Sequence, residues 1–368
     1  MISKRIPAQR GQGGESAMRD RNLSPQRMFQ MMAAELGAQD RFAGSTAAEF
    51  RSWHKATLPK VLATLGDFPE RVPLRPELIV EWEEGGLRKQ RWWLNVQKHL
   101  SAVLLVAWPV SWKPADGQLP AILCCHGHGP FGKEVVMGNA SSPEYRKEID
   151  GVNYDYGRQM AEKGFFTYAI DWIGFGERND ASKPNHLNLA GGRDWCNLYY
   201  LHATMLGMTS LSINVTHGMA ATDFVSSLPQ VDRKRLGVMG LSGGGTMSLW
   251  MSLVDQRIRA TEIICYSDLW ADMGIRDINY CGMQVAPGLY KLVDIPDLQG
   301  LLAPRPLLVD IGVYDSCFRI ESAMACYRRV AAIYAAAGAS QRLELDLHPD
   351  NHSWGNRKAC EFFQRYLP

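Results

Sequence analysis

Leu236-Gly237-Val238-Met239-Gly240-Leu241-Ser242-Gly243-Gly244 is the stretch of the sequence that decides the fold. Its apolar first half predicts a buried strand, and the residues from Gly244 to Leu253 predict a helix. The G-x-S-x-G pattern between them is typical of a sharp strand-to-helix turn that exposes a serine hydroxyl at the end of the strand. Glycine suits such a turn because a side chain beside the serine would clash there. Ser242 is therefore the predicted nucleophile.

Outward from this turn, short apolar runs alternate with amphipathic segments. The alternation predicts an α/β fold, with a mostly parallel central sheet and helices on both of its faces. Strand-like runs between Glu77 and Val110 predict antiparallel strands at one edge. The predicted buried strands are 121–125, 165–170, 236–239, 261–265, 306–311 and 343–347, and the predicted helices are 156–163, 216–227, 244–253, 320–337 and 354–367.

The chain is predicted to have three parts. Residues 1–23 are rich in Gly, Arg, Gln and Ser and predict a disordered tail. Residues 24–75 predict an N-terminal helical cap, with helices at 25–36 and 47–65. Residues 76–368 then form the α/β domain, with a helical insertion at about 267–304.

A serine hydroxyl is a weak nucleophile, so it needs a base and a group that orients the base. In proteins with this turn the acid follows the serine in the chain and the histidine comes last. Asp315 lies in the loop after the strand predicted at 306–311 and is the preferred acid. Asp268, after the preceding strand, is the alternative.

Two histidines compete for the role of base in the loop after the last predicted strand. His352 lies in mid-loop, where its ring can reach Ser242, and is preferred. His348 is restricted to extended geometry by the following Pro349 and is expected to be structural.

Two backbone amides are predicted to stabilise a developing oxyanion. The amide of Gly243 lies at the N-terminus of the helix after the serine. The amide of His128 lies in the Gly-rich loop His126-Gly127-His128-Gly129, after the strand predicted at 121–125. The run from Cys124 to His128 lacks the C-x-x-C spacing of structural zinc sites, so we expect no metal there.

The bulk composition restricts the possible partners and location. Forty Lys and Arg against 38 Asp and Glu leave a formal net charge of +2, which provides no basic field for nucleic acid. No run approaches roughly 18 consecutive apolar residues, and no signal-type apolar segment follows the N-terminus. We therefore expect a cytoplasmic protein with no membrane partner and reduced cysteines, and leave open a homo-oligomer.

Four segments together resemble one known family: 126–129, 171–178, 240–245 and 301–308. They are similar to the α/β-hydrolase superfamily, and within it to the acetyl xylan esterase-like and dienelactone hydrolase-like branch, over roughly residues 45–368. The resemblance implies a serine esterase with Ser242, Asp315 and His352 as its triad and with no metal or organic cofactor. The sequence departs from the branch in having Ser rather than the Cys of dienelactone hydrolases, and Asn351 where Gly often precedes the His.

The residues that would bind the substrate are less clearly marked. Arg178 would pair with a substrate carboxylate if it does not form an ordinary surface ion pair. Four residues of the insertion would line an acyl or alcohol pocket, or else form the core of that insertion. They are Trp270, Met273, Tyr280 and Met283.

The combined prediction is a carboxylic-ester hydrolase that acts through a covalent acyl-enzyme on a small-molecule or sugar ester. The first alternative is a serine peptidase of the prolyl-oligopeptidase type, although the segment before residue 121 is too short for that group's propeller domain. The second is a non-catalytic binding module on the same fold, since a fold alone does not determine function.

Overall fold

The centre of the fold is a nine-stranded sheet in a computed structural model that describes residues 21–180 and 194–368. The spatial order of its strands is β1-β2-β3-β5-β4-β6-β7-β8-β9. The strands in chain order are β1 (Glu77–Glu84), β2 (Leu87–Gln97), β3 (Leu100–Pro109), β4 (Leu119–Cys125), β5 (Phe166–Ile170), β6 (Val231–Leu241), β7 (Ile258–Ile264), β8 (Leu307–Gly312) and β9 (Leu343–His348).

Pairing in the sheet changes from antiparallel to parallel at β5. The pairs β1–β2, β2–β3 and β3–β5 are antiparallel, whereas every neighbouring pair from β5 to β9 is parallel. The predicted mostly parallel sheet is thus confirmed.

Burial along β4 explains why both faces of the sheet are covered. Ala121, Leu123 and Cys125 pack into one apolar core, while Ile122 and Cys124 pack into a second core. Successive side chains of a strand point to opposite faces, so a strand that is apolar at every position must be buried on both.

Helices pack on both faces of the sheet, as predicted. The helices are α1 (Pro25–Leu36), α2 (Ala47–Ala63), α3 (Lys133–Val136), α4 (Pro143–Val152), α5 (Tyr156–Glu162), α6 (Trp195–Met205), α7 (Ser210–Val225), α8 (Gly243–Val254), α9 (Leu289–Leu292), α10 (Ile295–Gly300), α11 (Ile320–Ala336) and α12 (Ala359–Tyr366). Residues of α2, α7, α8 and α11 fill one core, and residues of α4, α5 and α12 fill the other. None of the helices in the described segments is long and apolar enough to cross a bilayer.

The part of the chain before the sheet carries α1 and α2, close to the predicted positions. α2 begins with a capping box, in which Thr46 Oγ1 accepts the N–H of Glu49 and the Glu49 carboxylate accepts the N–H of Thr46. Phe50 and Val61 of α2 are buried in the first core. Residues 1–20 of the predicted tail lie outside the described residues.

The last helix is shorter than predicted, because it begins at Ala359 rather than Trp354. The Trp354 indole donates to Glu262 Oε1 (3.0 Å), and the N–H of Gly355 donates to Asp310 Oδ2 (3.0 Å). Both acceptors are buried carboxylates, and a buried carboxylate without donors is costly. These tertiary hydrogen bonds therefore outweigh the helical pattern of the local sequence.

The carboxyl ends of the parallel strands meet at one edge of the sheet. β4 and β6 are neighbours there although β5 lies between them in the chain. The connections between strands therefore lead to opposite sides of the sheet from this point. Crevices that bind ligands form at such switch points. The loops after β4, β6, β8 and β9 carry His128, Ser242, Asp315 and His352, respectively.

Gly244 provides a test of how closely α8 approaches β4. A Cβ atom added at Gly244 would lie 2.0 Å from the carbonyl O of Cys125 and 2.8 Å from its carbonyl C. These are backbone atoms of a central strand, so Gly244→Ala is expected to lower the free energy of unfolding by at least about 2 kcal/mol. Urea denaturation followed by circular dichroism measures this change.

Gly151→Ala is the matched control, because a Cβ atom added at that position of α4 meets no atom within 4 Å. It is expected to raise the free energy of unfolding by about 0.5–1 kcal/mol through helix propensity. Equal stabilities of the two variants would contradict the close approach of α8 and β4.

Candidate active site

Ser242 occupies the turn between β6 and α8 in a strained conformation. Its φ of 59° and ψ of −118° fall outside the regions that L-residues ordinarily adopt. Its N–H donates to the carbonyl of Ile264 (2.8 Å), and its own carbonyl accepts the N–H of Thr246 (3.1 Å). These bonds hold a half-buried serine at the carboxyl end of β6 and at the N-terminus of α8.

The loop after β4 lies against this turn, and glycine permits the contact. A Cβ atom added at Gly127 would lie 2.6 Å from the carbonyl O of Leu241 and 3.3 Å from the Cβ of Ser242. The N–H of Gly127 donates to the Tyr154 hydroxyl (2.6 Å), which fixes the loop from its other side. The loop predicted to supply the second oxyanion amide is therefore next to the serine.

Asp315 and His352 form a hydrogen-bonded pair at the same edge of the sheet. His352 Nδ1 lies 2.9 Å from Asp315 Oδ2, and Asp315 Oδ1 accepts the N–H groups of Cys317 (2.7 Å) and Phe318 (3.0 Å). Burial by itself would raise the pKa of Asp315, but His352 and the two N–H donors outweigh it and hold the pKa below its usual value. The carboxylate is thus ionised and orients the imidazole.

Asp268, the alternative acid, has other partners. Its Oδ1 accepts the N–H of Leu269 (2.6 Å) and the hydroxyl of Ser322. Burial raises the pKa of Asp268 to about 6. Between the two acids left open by the sequence, the structure pairs His352 with Asp315.

His348, the alternative base, is buried in a second pair. Its Nε2 lies 2.9 Å from Asp310 Oδ1, and its side chain is 1% exposed, whereas the side chain of His352 is 19% exposed. Burial opposes the charged imidazolium, but Asp310 outweighs burial and raises the pKa of His348. His348 is therefore part of the protein interior, and only His352 is open to a substrate.

His126 is a structural residue of the loop after β4. Its Nδ1 lies 2.8 Å from the carbonyl O of Gly127, and its Nε2 accepts the N–H of Trp172 (3.0 Å). This pattern requires a neutral ring, in agreement with burial lowering the pKa of His126 to about 4. Within the described residues the N–H of His128 donates no hydrogen bond to another protein group.

Two side chains lie directly against Gly243. A Cβ atom added at Gly243 would lie 2.8 Å from His128 Nδ1 and 2.9 Å from Met283 Cε. Of the four insertion residues considered above, Met283 is the one that these distances place beside the turn.

Cys281 is a neighbour of the site that the sequence did not indicate. Its Sγ lies 2.8 Å from His128 Nε2. A hydrogen bond from Cys196 lowers the pKa of the Cys281 thiol, burial raises it, and the contact with His128 lowers it again. The resulting pKa is about 6. No local pattern could have found it, because α6, the insertion and the loop after β4 meet only in the folded chain.

Arg178 lines a cavity that does not include Ser242. One of its guanidinium nitrogens donates to the carbonyl O of Asp171 (2.8 Å), and another lies 2.9 Å from His217 Nδ1. The cavity has a volume of about 500 Å³, and its lining residues include Trp93 and Tyr199 but neither Ser242 nor His352. The structure therefore does not bring Arg178 together with the serine.

Trp270 and Met273 form the interior of the insertion. Met273 is fully buried, and Trp270, which is 7% exposed, packs edge-to-face against Tyr280 at 5.7 Å between ring centroids. Tyr280 is partly exposed. For Trp270 and Met273 the structure thus favours the core role over a place in the pocket.

The matching family model is described as the Abhydrolase family and spans residues 14–344. The chain belongs to this family. The predicted membership of the α/β-hydrolase superfamily is therefore confirmed, and the sheet described above is the Abhydrolase catalytic fold.

One curated relative and two solved structures show how far the likeness extends. YtaP of Bacillus subtilis (strain 168), named as a hydrolase, is 25% identical over 313 residues, which cover 82% of this chain and 96% of YtaP. A Bacteroides fragilis NCTC 9343 structure, named as an acetyl xylan esterase, has a TM-score of 0.72 at 20% identity and covers 89% of this chain and 83% of its own. A glucuronoyl esterase from Solibacter usitatus has a TM-score of 0.62 at 16% identity, with 86% and 94% covered. At these identities the two structures establish a shared fold.

The two histidine–aspartate pairs of this Abhydrolase chain should differ in their effect on stability. His348→Asn leaves the buried Asp310 carboxylate without its cation, which is expected to cost about 3–5 kcal/mol of the free energy of unfolding. His352→Asn is expected to cost less, about 1 kcal/mol, because Asp315 keeps the N–H groups of Cys317 and Phe318 as hydrogen-bond donors. Urea denaturation of both variants beside the wild type measures the difference.

The deficit of His348→Asn should also grow as the pH rises from acid toward neutral. Burial raises the pKa of Asp310 to about 6 although His348 and the N–H of Gly355 both lower it, so without His348 the folded-state pKa is higher still. A carboxyl group with a raised folded-state pKa loses stability as it ionises with rising pH. A deficit that shrinks over this range would show that Asp310 does not depend on His348.

Proposed function

We propose that this chain is a serine carboxylic-ester hydrolase with Ser242 as nucleophile, His352 as general base and Asp315 as the orienting acid. The observation that carries the proposal is the 2.9 Å contact between His352 Nδ1 and Asp315 Oδ2, at the sheet edge where the strained Ser242 also lies. A strained serine and a carboxylate-oriented imidazole are the parts that nucleophilic acyl transfer requires.

The mechanism follows from the orientation of the imidazole. With Nδ1 donating to Asp315, Nε2 of His352 is left without a proton and can accept the one from Ser242 Oγ. Ser242 Oγ attacks the ester carbonyl, and the amides of Gly243 and His128 stabilise the oxyanion that forms. His352 then protonates the leaving alcohol. Water, activated by the same imidazole, hydrolyses the acyl-enzyme and restores the serine.

For the substrate we propose a short-chain ester of a small alcohol or an acetylated sugar. The resemblance to the acetyl xylan esterase-like branch and the name of the Bacteroides fragilis structure support the sugar acetate. The name of the glucuronoyl esterases suggests uronic acid esters as the substrates to compare with acetylated sugars. Relative kcat/KM over acyl chain lengths, acetylated sugars and uronic acid esters would identify the natural class.

Ser242→Ala tests the nucleophile. Removing Oγ eliminates the covalent intermediate, so kcat/KM for a short acyl ester is expected to fall by roughly 10⁴-fold or more, with little change in the free energy of unfolding. Ser52→Ala, at an exposed serine of α2, is the matched control and should retain wild-type turnover. Comparable turnover in Ser242→Ala and in the control would refute the assignment.

A fluorophosphonate probe separates this proposal from its two rivals. An ester hydrolase should be labelled at Ser242 and should cleave short esters much faster than peptide amides. A peptidase would be labelled but would favour amides, and a non-catalytic binding module would not be labelled. Either of the last two outcomes would overturn the proposal.

The choice of acid can be tested with two isosteric variants. Asp315→Asn favours the wrong tautomer of His352, and kcat is expected to fall by roughly 10³–10⁴-fold. Asp268→Asn is the control, because its hydrogen bonds go to Leu269 and Ser322 rather than to a histidine, and its kcat should stay within a few-fold of wild type. Measurement of kcat for both variants decides the question, and the opposite ranking would assign the role to Asp268.

A further inference from the structure

A cluster of one histidine and two cysteines lies at the rim of the candidate active site. Its members come from three separate elements: His128 from the loop after β4, Cys196 from the first turn of α6, and Cys281 from the insertion. One ligand atom from each residue lies within 4.8 Å of the other two. The two thiols are buried, whereas His128 is exposed, so a solute can reach the cluster from the side of the imidazole.

The sulfur of Cys281 is at the centre of the cluster. It lies 2.8 Å from His128 Nε2, and it accepts the N–H of Met283 at 3.4 Å. The Cys196 thiol is the third neighbour, with its Sγ within 4.8 Å of both other ligand atoms. Three polar groups thus surround one sulfur atom.

We propose that His128 Nε2, Cys196 Sγ and Cys281 Sγ form a binding site for a thiophilic divalent cation, with Zn²⁺ as the best-matched ion. Two thiolates and one imidazole are ligands that zinc prefers, and three protein ligands leave a fourth position for water or another small ligand. This proposal departs from the expectation of no metal, which rested on the spacing in the run from Cys124 to His128 and on the family resemblance. The proposed site takes one residue from that run and two from distant parts of the chain.

Other cysteines of the described chain lack this arrangement. Cys124 and Cys125 are completely buried in β4, on opposite faces of the sheet. Cys265 lies near the two histidine–aspartate pairs, where the carboxylates already accept protein N–H groups. The cluster at His128 is the one that combines two thiols with an accessible imidazole.

A bound cation would also move His128. With Zn–N of about 2.0 Å and Zn–S of about 2.3 Å, a tetrahedral site separates the two ligand atoms by roughly 3.5 Å. His128 Nε2 and Cys281 Sγ are now 2.8 Å apart, so the ring must shift relative to the sulfur by several tenths of an ångström. The ring belongs to the residue whose amide we propose for the oxyanion site, and small displacements there are costly. This step rests on the proposed function, whereas cation binding itself does not.

Cobalt provides a direct spectroscopic test of the ligand set. Titration of the reduced wild-type protein with Co²⁺ should give thiolate-to-cobalt charge-transfer absorption and the visible bands of a tetrahedral site, saturating at one equivalent. Zn²⁺ should displace the cobalt and remove both signals. Ser242→Ala should give the same spectrum, which separates the cation site from the proposed catalysis. Spectra without charge-transfer bands would overturn the proposal.

Cysteine variants locate the site. Cys281→Ser and Cys196→Ser each remove a ligand and should weaken Co²⁺ binding by at least about 100-fold, since loss of even an outer partner costs about 10–100-fold. Cys360→Ser, at a half-buried cysteine of α12, is the matched control and should bind like wild type. Wild-type affinity in either of the first two variants would overturn the proposal.

A measurement on the wild-type protein covers the case in which a variant does not fold. Because Cys196 and Cys281 are buried, they react with iodoacetamide only during local opening, and Zn²⁺ should slow that reaction in long incubations read by peptide mass spectrometry. The alkylation of Cys317 and Cys360 should stay unchanged. In ester assays one equivalent of Zn²⁺ should lower kcat/KM by about tenfold or more, reversibly with a chelator. Absence of protection would overturn the site, whereas protection with unchanged kcat/KM would overturn only its effect on turnover.

Discussion

The site depends on the close approach of α8 to the end of β4. The ideal Cβ positions of Gly240 and Gly244 lie 2.6 Å and 2.0 Å from the carbonyl O of Cys125, so both positions exclude any side chain. This approach sets the sharp turn at Ser242, brings the loop after β4 against the serine and aims the N-terminus of α8 at the crevice. The strain at Ser242 is maintained by the backbone hydrogen bonds of β7 and α8 on either side of it.

Two histidine–aspartate pairs lie at the same sheet edge, and burial gives them different roles. Asp310 lies within β8, so His348 is buried beside it, and the attraction between the two side chains stabilises the sheet. Asp315 lies a few residues later, in the loop, and His352 is correspondingly open on one side. A shift of a few residues along two adjacent strands thus separates an interior ion pair from the pair we propose for catalysis.

The sequence was sufficient for the architecture and for the residues that follow each strand. The turn at Ser242, the alternation of strands and helices and the order of acid and histidine are local patterns, and the folded chain places Asp315 beside His352 as those patterns predict. The predicted start of the last helix was wrong because two acceptors from distant parts of the chain compete for the residues at that position. Glu262 accepts the indole N–H of Trp354, and Asp310 accepts the N–H of Gly355. Periodicity reports on neighbours in the chain and not on such acceptors.

The surroundings of the serine could not be predicted in the same way, because they come from elements that no local pattern connects. The sequence left Arg178 open between a substrate carboxylate and a surface ion pair, yet its guanidinium is engaged by the carbonyl of Asp171 and by His217. No sequence pattern singled out Cys281, yet it lies against His128, whose ring in turn lies against Gly243. The backbone that holds the serine is thus specified by short motifs, whereas the side chains facing the substrate are specified by the packing of the insertion, α6 and the loop after β4. Changes in those three segments can alter specificity or add a ligand site while leaving the turn at Ser242 intact.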